Sequence, residues 1–173
     1  MKITKKLLAL VLVLTMTLGL GVTANAASDD KQILALGADL STDQRAAVLG
    51  LLGVDESELA NYDVISITNA EEHQYLDAYL SSSVIGTHAL SSVLIRPAEE
   101  GAGLNVTTYN ISYCTIDMYT NALLTAGLQD ANVFVAAPSN ISGTSALIGA
   151  AAVLHIHDAL KTIAGAGTGL AAH

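Results

Sequence analysis

Cys114 is the only cysteine in the chain, so no intrachain disulfide can brace the fold, and stability must come from burying apolar side chains in a core. That constraint bears hardest on an exported protein, and the N-terminus reads as an export signal. Lys2, Lys5 and Lys6 precede an apolar run from Leu7 to Val22, and Ala24-Asn25-Ala26 follows. This is the pattern of a secretory leader cleaved after Ala26. The alternative, a retained anchor, has an apolar run shorter than the roughly 20 residues a bilayer span requires. No cysteine stands near the cleavage point to carry a lipid. The expected organisation is therefore a signal peptide at 1–26, a single domain at 27–164 and a flexible Gly-rich tail at 165–173. The expected location is extracellular, either secreted or associated with the cell envelope.

Cleavage leaves Lys31, Arg45, Arg96 and Lys161 as the only Lys or Arg residues, four bases against 16 acids, for a formal charge of −12. Binding to nucleic acid or to anionic headgroups relies on Lys and Arg neutralising phosphates, so both partners are excluded. The most apolar later stretch, Ala146 to Leu154, is far too short to span a membrane.

Local signals mark the elements. Ser41 to Gln44 fits a capping box, the run RAAVLGLLG follows, and Gly53 stands where a left-handed cap belongs. This predicts a helix over 42–52. Before it, 28–38 reads as a tether leading into the short apolar segment ILALGA. DVISIT at 63–68 alternates as a strand, and Thr68 to Glu71 opens a second capped helix that Leu76, Tyr79 and Leu80 carry toward the serines at 81–83. THALSSVLIR at 87–96 and LNVTTYNIS at 104–112, separated by PAEEGAG, predict an antiparallel hairpin. A helix from Ile116 to Ala126 is capped by Thr115 and stopped by Gly127, with Ile116, Tyr119, Leu123 and Ala126 on one stripe. NVFVAA is the last strand, and a final helix follows. From Asp63 the order is β, α, β, β, α, β. This is an α/β (α+β) arrangement of the split βαβ, ferredoxin-like kind, with an extra N-terminal and an extra C-terminal helix. Its four-stranded antiparallel sheet would carry both crossover helices on one face. A different α/β sandwich built from the same local elements is the competing arrangement.

The segment VFVAAPSNISGTSALIGAAAV, 133–153, joins a strand to a helix through a loop of small polar residues. It lacks the lysine of a phosphate-binding Walker loop. Gly143-Thr144-Ser145-Ala146-Leu147 resembles a nucleophile elbow without its second glycine, and five residues, Pro138 to Ser142, separate it from the strand. The N–H groups near Ser142, Gly143 and Thr144 could hold an anion, but an ordinary capped helix start accounts for the same residues. His155 and His157, two apart on a helix, point to opposite sides and cannot share a metal ion. His73 and His88 are isolated. Cys114 has no basic neighbour in sequence to lower its pKa and reads as a small buried hydrophobe. The acidic clusters 55–58, 71–72 and 99–100 read as solvated surface, without the spacing of a calcium loop. No cofactor, metal or catalytic residue is assigned. Asn105, Asn110 and Asn140 each open an N-x-[ST] triplet, to which no role is given.

The runs ALGADLSTDQRAAVLGLLGV, ITNAEEHQYL, IGTHALSSVLI, YNISYCTIDMYTNALLTAGLQDANVFVAAP and ISGTSALIGA occur in this order between Leu34 and His157. Together they resemble the exported Gram-positive family catalogued as domain of unknown function 1002, the YpuA-like proteins. The resemblance implies an extracytoplasmic protein, with Met118-Tyr119, Asn121-Ala122 and Ser142-Gly143-Thr144 in the family signature, and it brings no activity with it. Family members carry more basic residues than this chain, so its charge is no guide to a shared role. The resulting expectation is a non-catalytic binding or interaction domain for an unknown envelope ligand or protein. Its candidate ligand-binding residues are Tyr119, Asn121, Ser142, Gly143 and Thr144. The alternative is a small hydrolase or transferase acting on an envelope component through Ser142-Gly143-Thr144-Ser145, which requires a His or carboxylate within hydrogen-bond reach of one of those hydroxyls.

Overall fold

The structure is a computed structural model that describes residues 32–152. The leader at 1–26, the tail at 165–173 and the His155, His157 and Asp158 cluster lie outside the described residues. Five strands form one mixed sheet: β1 (Gln32–Gly37), β2 (Tyr62–Ile67), β3 (Ser92–Pro97), β4 (Leu104–Ile111) and β5 (Ala131–Ile141), in the order β2-β1-β3-β5-β4. The helices are α1 (Thr42–Leu52), α2 (Asn69–Leu76), the single turn α3 (Ser82–Ile85), α4 (Ile116–Thr125) and α5, which begins at 144 and is described to 152. A 3₁₀ turn, Glu56–Asn61, leads into β2.

This is a mixed α/β fold, but the sheet is not the four-stranded antiparallel layer expected. β1 pairs with β2, and β4 with β5, in parallel; only β3 runs the other way, between β1 and β5. The predicted hairpin is absent, because β5 lies between β3 and β4. Two βαβ units, β1-α1-β2 and β4-α4-β5, therefore flank a single reversed strand.

Burial explains the order. Ile33 and Ala35 of β1, Val93 and Ile95 of β3, and Val133 and Val135 of β5 form one apolar layer with Tyr119 and Leu123 of α4 and Ala146, Ile148 and Ala150 of α5. The intervening residues, Leu34, Leu36, Leu94 and Ala136, join Val48, Leu49 and Leu52 of α1 in a second layer on the opposite face. Strands covered on both faces must be apolar at every position. The β3 sequence VLI therefore requires a neighbour on each side and helices above and below. β4, whose side chains alternate between half-buried and exposed, belongs at an edge. The short apolar segment into which the expected tether leads, ILALG, has the same continuous burial and is an interior strand.

Local signals fared better. Both arms of the Ser41/Gln44 box are made, and Gly53 adopts φ 66° as the left-handed cap. Both arms of the Thr68/Glu71 box are made as well, although α2 ends at Leu76, and Tyr79 is exposed beyond it. Thr115 caps α4 as expected, whereas Ile116 faces solvent. β3 is shorter than the predicted 87–96.

α5 lies close against the sheet because Gly149 has no side chain. A Cβ there would stand 2.7 Å from Ala35 Cβ and 3.1 Å from Val93 Cγ1. Gly149→Ala is expected to destabilise the protein by about 1–3 kcal/mol through overpacking, seen as a lower urea midpoint. Gly50→Ala, in α1 with nothing within 4 Å of the added carbon, should stabilise by up to about 1 kcal/mol through helix propensity. Equal effects from the two variants would contradict the close α5–sheet contact.

Candidate functional site

The strand-loop-helix segment is tighter than its sequence suggests. β5 continues through Pro138 to Ile141, and only Ser142 and Gly143 separate it from α5. Four of the five residues expected as loop from Pro138 to Ser142 are therefore strand, and the turn is Ser142 and Gly143 alone. Pro138 is tolerated inside a strand because it falls where neither neighbour pairs: the β3 ladder stops at Ala136, and the β4 ladder skips from Ala136 to Ile141. A bulge at Asn110, φ 59°, accompanies that skip, and Asn110 Nδ2 donates to the Ala137 carbonyl at 2.9 Å.

The turn is fixed from three directions. Tyr119, fully buried on α4, donates its hydroxyl to the Gly143 carbonyl at 2.8 Å. Gly143 itself sits at φ 91°, and a Cβ there would overlap the Tyr119 hydroxyl. From the stretch just before β3, Ser91 exchanges hydrogen bonds with Ser145. Ser91 N–H donates to Ser145 Oγ, Ser145 Oγ donates to the Ser91 carbonyl, and Ala146 N–H donates to Ser91 Oγ at 2.9 Å. That last contact caps α5 from 55 residues away, the role expected of Ser142 or Thr144. From α2, Glu72 accepts from Thr144 Oγ1 at 2.6 Å through Oε1 and from Asn69 Nδ2 at 3.1 Å through Oε2.

Glu72 was read as part of a solvated acidic pair; the structure corrects half of that reading. Glu71 is the arm of the capping box, and its hydrogen bonds to Thr68 lower its pKa. Glu72 is 1% exposed. It lies four residues before Leu76, on the stripe that turns toward the sheet. Burial pushes its pKa up, against the hydrogen bonds from Thr144 and Asn69 that favour the charged form. Among the described residues both arginines bond elsewhere, Arg45 to Glu56 and Arg96 to Gln32. The next residue, His73, bonds Asp77 through Nδ1 and the Gly86 carbonyl through Nε2, and both contacts raise its pKa. Cys114 is buried, and desolvation pushes its thiol up to about 11, so it is protonated at neutral pH.

Two concavities adjoin this region. A cleft of about 450 Å³ lies where β4 and β5 end, between the 83–90 segment, Ser112, Tyr113, Ile141 and Ser142. An apolar groove of about 770 Å³ lies between α2 and α4 over α5, and it runs up to Ala152, the last described residue. The five sequence-predicted residues divide between interior, cleft and groove. Tyr119, Gly143 and Thr144 are internal fastenings, and Ser142 is half-buried at the cleft. Asn121 is exposed on α4 and faces the groove beside Met118. Sequence reasoning missed Glu72, Ser91 and Tyr113. The helical spacing of Glu72 to Leu76 was the available signal for the first, and the pairing of Ser91 with Ser145 has none in the sequence.

Comparison with known proteins places these residues in a wider set. The family model described as "Protein of unknown function (DUF1002)" matches residues 36–163. A protein of Bacillus subtilis (strain 168), "Uncharacterized protein YpuA", is 48% identical over 126 residues, which cover 73% of this chain and 42% of that relative. The match thus spans less than half of the relative's length. No solved structure matches the chain. Among the described residues no helix is long and apolar enough to cross a membrane.

The raised pKa of Glu72 means that the folded protein holds this proton more tightly than the unfolded chain does. Its contribution is therefore most favourable below the ordinary carboxyl range and is lost as pH rises through the folded value. Glu72→Gln removes that component. The stability of the variant relative to the native protein is expected to increase between pH 4 and pH 8, measured by urea unfolding at each pH. A difference that stays flat with pH would contradict a raised pKa at Glu72.

Proposed function

This chain belongs to the DUF1002 family, and we propose that it is a non-catalytic binding domain that works outside the cytoplasm, secreted or associated with the cell envelope. Its ligand is a small molecule or the end of a larger one, seated in the cleft at the carboxyl ends of β4 and β5. One observation carries this reading. Ser142 lines the cleft, while the neighbouring Thr144 and Ser145 hydroxyls are buried and committed to Glu72 and Ser91. The loop thus forms a fixed rim with one hydroxyl facing outward. Its position fits the tendency of ligands to bind beyond the carboxyl ends of strands in α/β sheets, and its volume falls within the roughly 300–1,000 Å³ of small-molecule sites.

The rival hydrolase or transferase reading has one specific observation in its favour, the Glu72 carboxylate 2.6 Å from Thr144 Oγ1. Both groups are 2% exposed or less, so no substrate carbonyl can reach the hydroxyl that has the base. Ser142, the hydroxyl at the cleft, contacts Thr144 and not the carboxylate.

Hydrogen–deuterium exchange of the purified chain, with and without a soluble digest of Gram-positive cell envelope, tests the proposal. Slowed exchange at 83–88 and 112–113, lost in Tyr113→Ala, is the expected outcome. Protection confined to the groove around Tyr75, Met118 and Asn121, or no protection anywhere, would refute it.

A further inference from the structure

The cleft also carries information about ligand chemistry. Its polar side chains are Ser83, Thr87, His88, Ser112, Tyr113 and Ser142, and no Lys, Arg, Asp or Glu lines it. A phosphate or carboxylate would find no lysine or arginine there, and the chain as a whole carries a formal charge of −9. An ammonium group would find no carboxylate at the surface of the cleft. A purely apolar ligand would strip water from these side chains without replacing its hydrogen bonds. The Tyr113 side chain is 45% exposed and offers an aromatic face.

The direction of the hydrogen bonds behind Ser142 narrows the class further. When Glu72 is ionised both of its oxygens accept, one from Asn69 and one from Thr144. Thr144 has a single hydroxyl proton, and that contact uses it. The 3.2 Å contact between Ser142 Oγ and Thr144 Oγ1 therefore has Ser142 as donor. Its proton is turned inward, and its lone pairs are left for the cleft. The opposite wall is tied to the same turn of α2, because the Gly86 carbonyl accepts from Asn69 Nδ2 at 3.3 Å and contacts His73 Nε2 at 3.0 Å. One helical turn, 69–73, thus holds both sides of the cleft.

Resting on the cleft reading above, we propose that the ligand is a neutral, hydroxyl-rich molecule of the saccharide class that donates a hydrogen bond to Ser142 Oγ, and that Glu72 is a positioning residue that sets this polarity through Thr144. A saccharide supplies donors for an acceptor-facing serine, acceptors for the remaining hydroxyls and a C–H face for the Tyr113 ring. It brings no charge into a cleft that has none to offset.

The test is calorimetric titration of the purified full chain with an N-acetylglucosamine tetramer and with the same tetramer methylated on every hydroxyl and amide nitrogen, which retains acceptors and loses donors. The unmodified probe is expected to bind, and the methylated one to bind at least about tenfold more weakly. Thr144→Val frees the Ser142 proton to point either way. It should weaken the unmodified probe about three- to tenfold, the range one neutral hydrogen bond contributes, and should not weaken the methylated probe, whose acceptors the freed Ser142 proton can meet. Ser142→Ala, which keeps the Thr144–Glu72 bond, should produce the same loss and serves if Thr144→Val fails to fold. Equal binding of the two probes, or full binding by Ser142→Ala, overturns the proposal. No binding of the unmodified tetramer, with protection of 83–88 by the envelope digest intact, overturns the saccharide assignment and leaves the cleft in place. Absence of both removes the two together. Protection traced to a peptide component also overturns the assignment.

Discussion

The constraint on which the fold depends is the burial of its sheet on both faces without covalent bracing. Three adjacent strands, β1, β3 and β5, are apolar on both sides. Each must therefore have a strand on either side and helices above and below. α1 covers one face, while α4 and α5 cover the other. The two parallel βαβ units meet this requirement, since their helices pack on opposite faces. The reversed β3 fills the space between them, and β5 separates it from its sequence neighbour β4. The connection at 98–103 must then pass across one strand, a span of about 10 Å.

Placing four strands in one direction brings their carboxyl ends to one edge, and there the polar groups of the fold concentrate. The start of α5 is tied to α4 by Tyr119, to the stretch before β3 by Ser91 and to α2 by Glu72. Among the described residues no buried side-chain nitrogen or oxygen is left without a partner. A burial-only core tolerates such a polar cluster because every member is satisfied. Glu72 is a buried carboxylate whose desolvation is opposed by hydrogen bonds from Thr144 and Asn69 and by the charge of His73. Its position beside the first turn of α5 offsets part of that cost, because the N-terminal end of a helix favours negative charge.

What was legible in the sequence was local or one-sided. The two capping boxes and the Gly53 cap are complete within a few residues, so α1 and the start of α2 could be read directly. β2 and β4 could be read because an edge strand with one wet face alternates. β1 could not, because burial on both faces erases the alternation, and its apolar residues read only as a short segment at the end of a tether. The β3–β4 hairpin was misjudged for the related reason that a Pro/Gly-bearing loop specifies a reversal of direction and not adjacency. The candidate site was half legible. Ser142 does reach a cleft, but Tyr119, Gly143 and Thr144 serve the interior, and Asn121 faces the apolar groove. In this chain Tyr119, Gly143 and Thr144 are held by internal hydrogen bonds, so their closeness in space follows from how the head of α5 is fastened.

That fastening bears on how a strand-to-helix turn rich in Ser, Thr and Gly should be understood. A nucleophilic hydroxyl requires exposure and a base at the same oxygen. Here the two requirements fall on different residues: Thr144 has the carboxylate and no exposure, whereas Ser142 lines the cleft and reaches the carboxylate only through a second hydroxyl. An arrangement of this kind polarises the outer oxygen without accepting its proton. Recognition is the chemistry that such an oxygen performs well, because a fixed acceptor at a rigid rim loses little entropy when a donor arrives. The same rigidity that a fold without disulfides requires at the head of α5 also fixes Ser142 at the rim of the cleft, which is the feature the proposed binding role draws on.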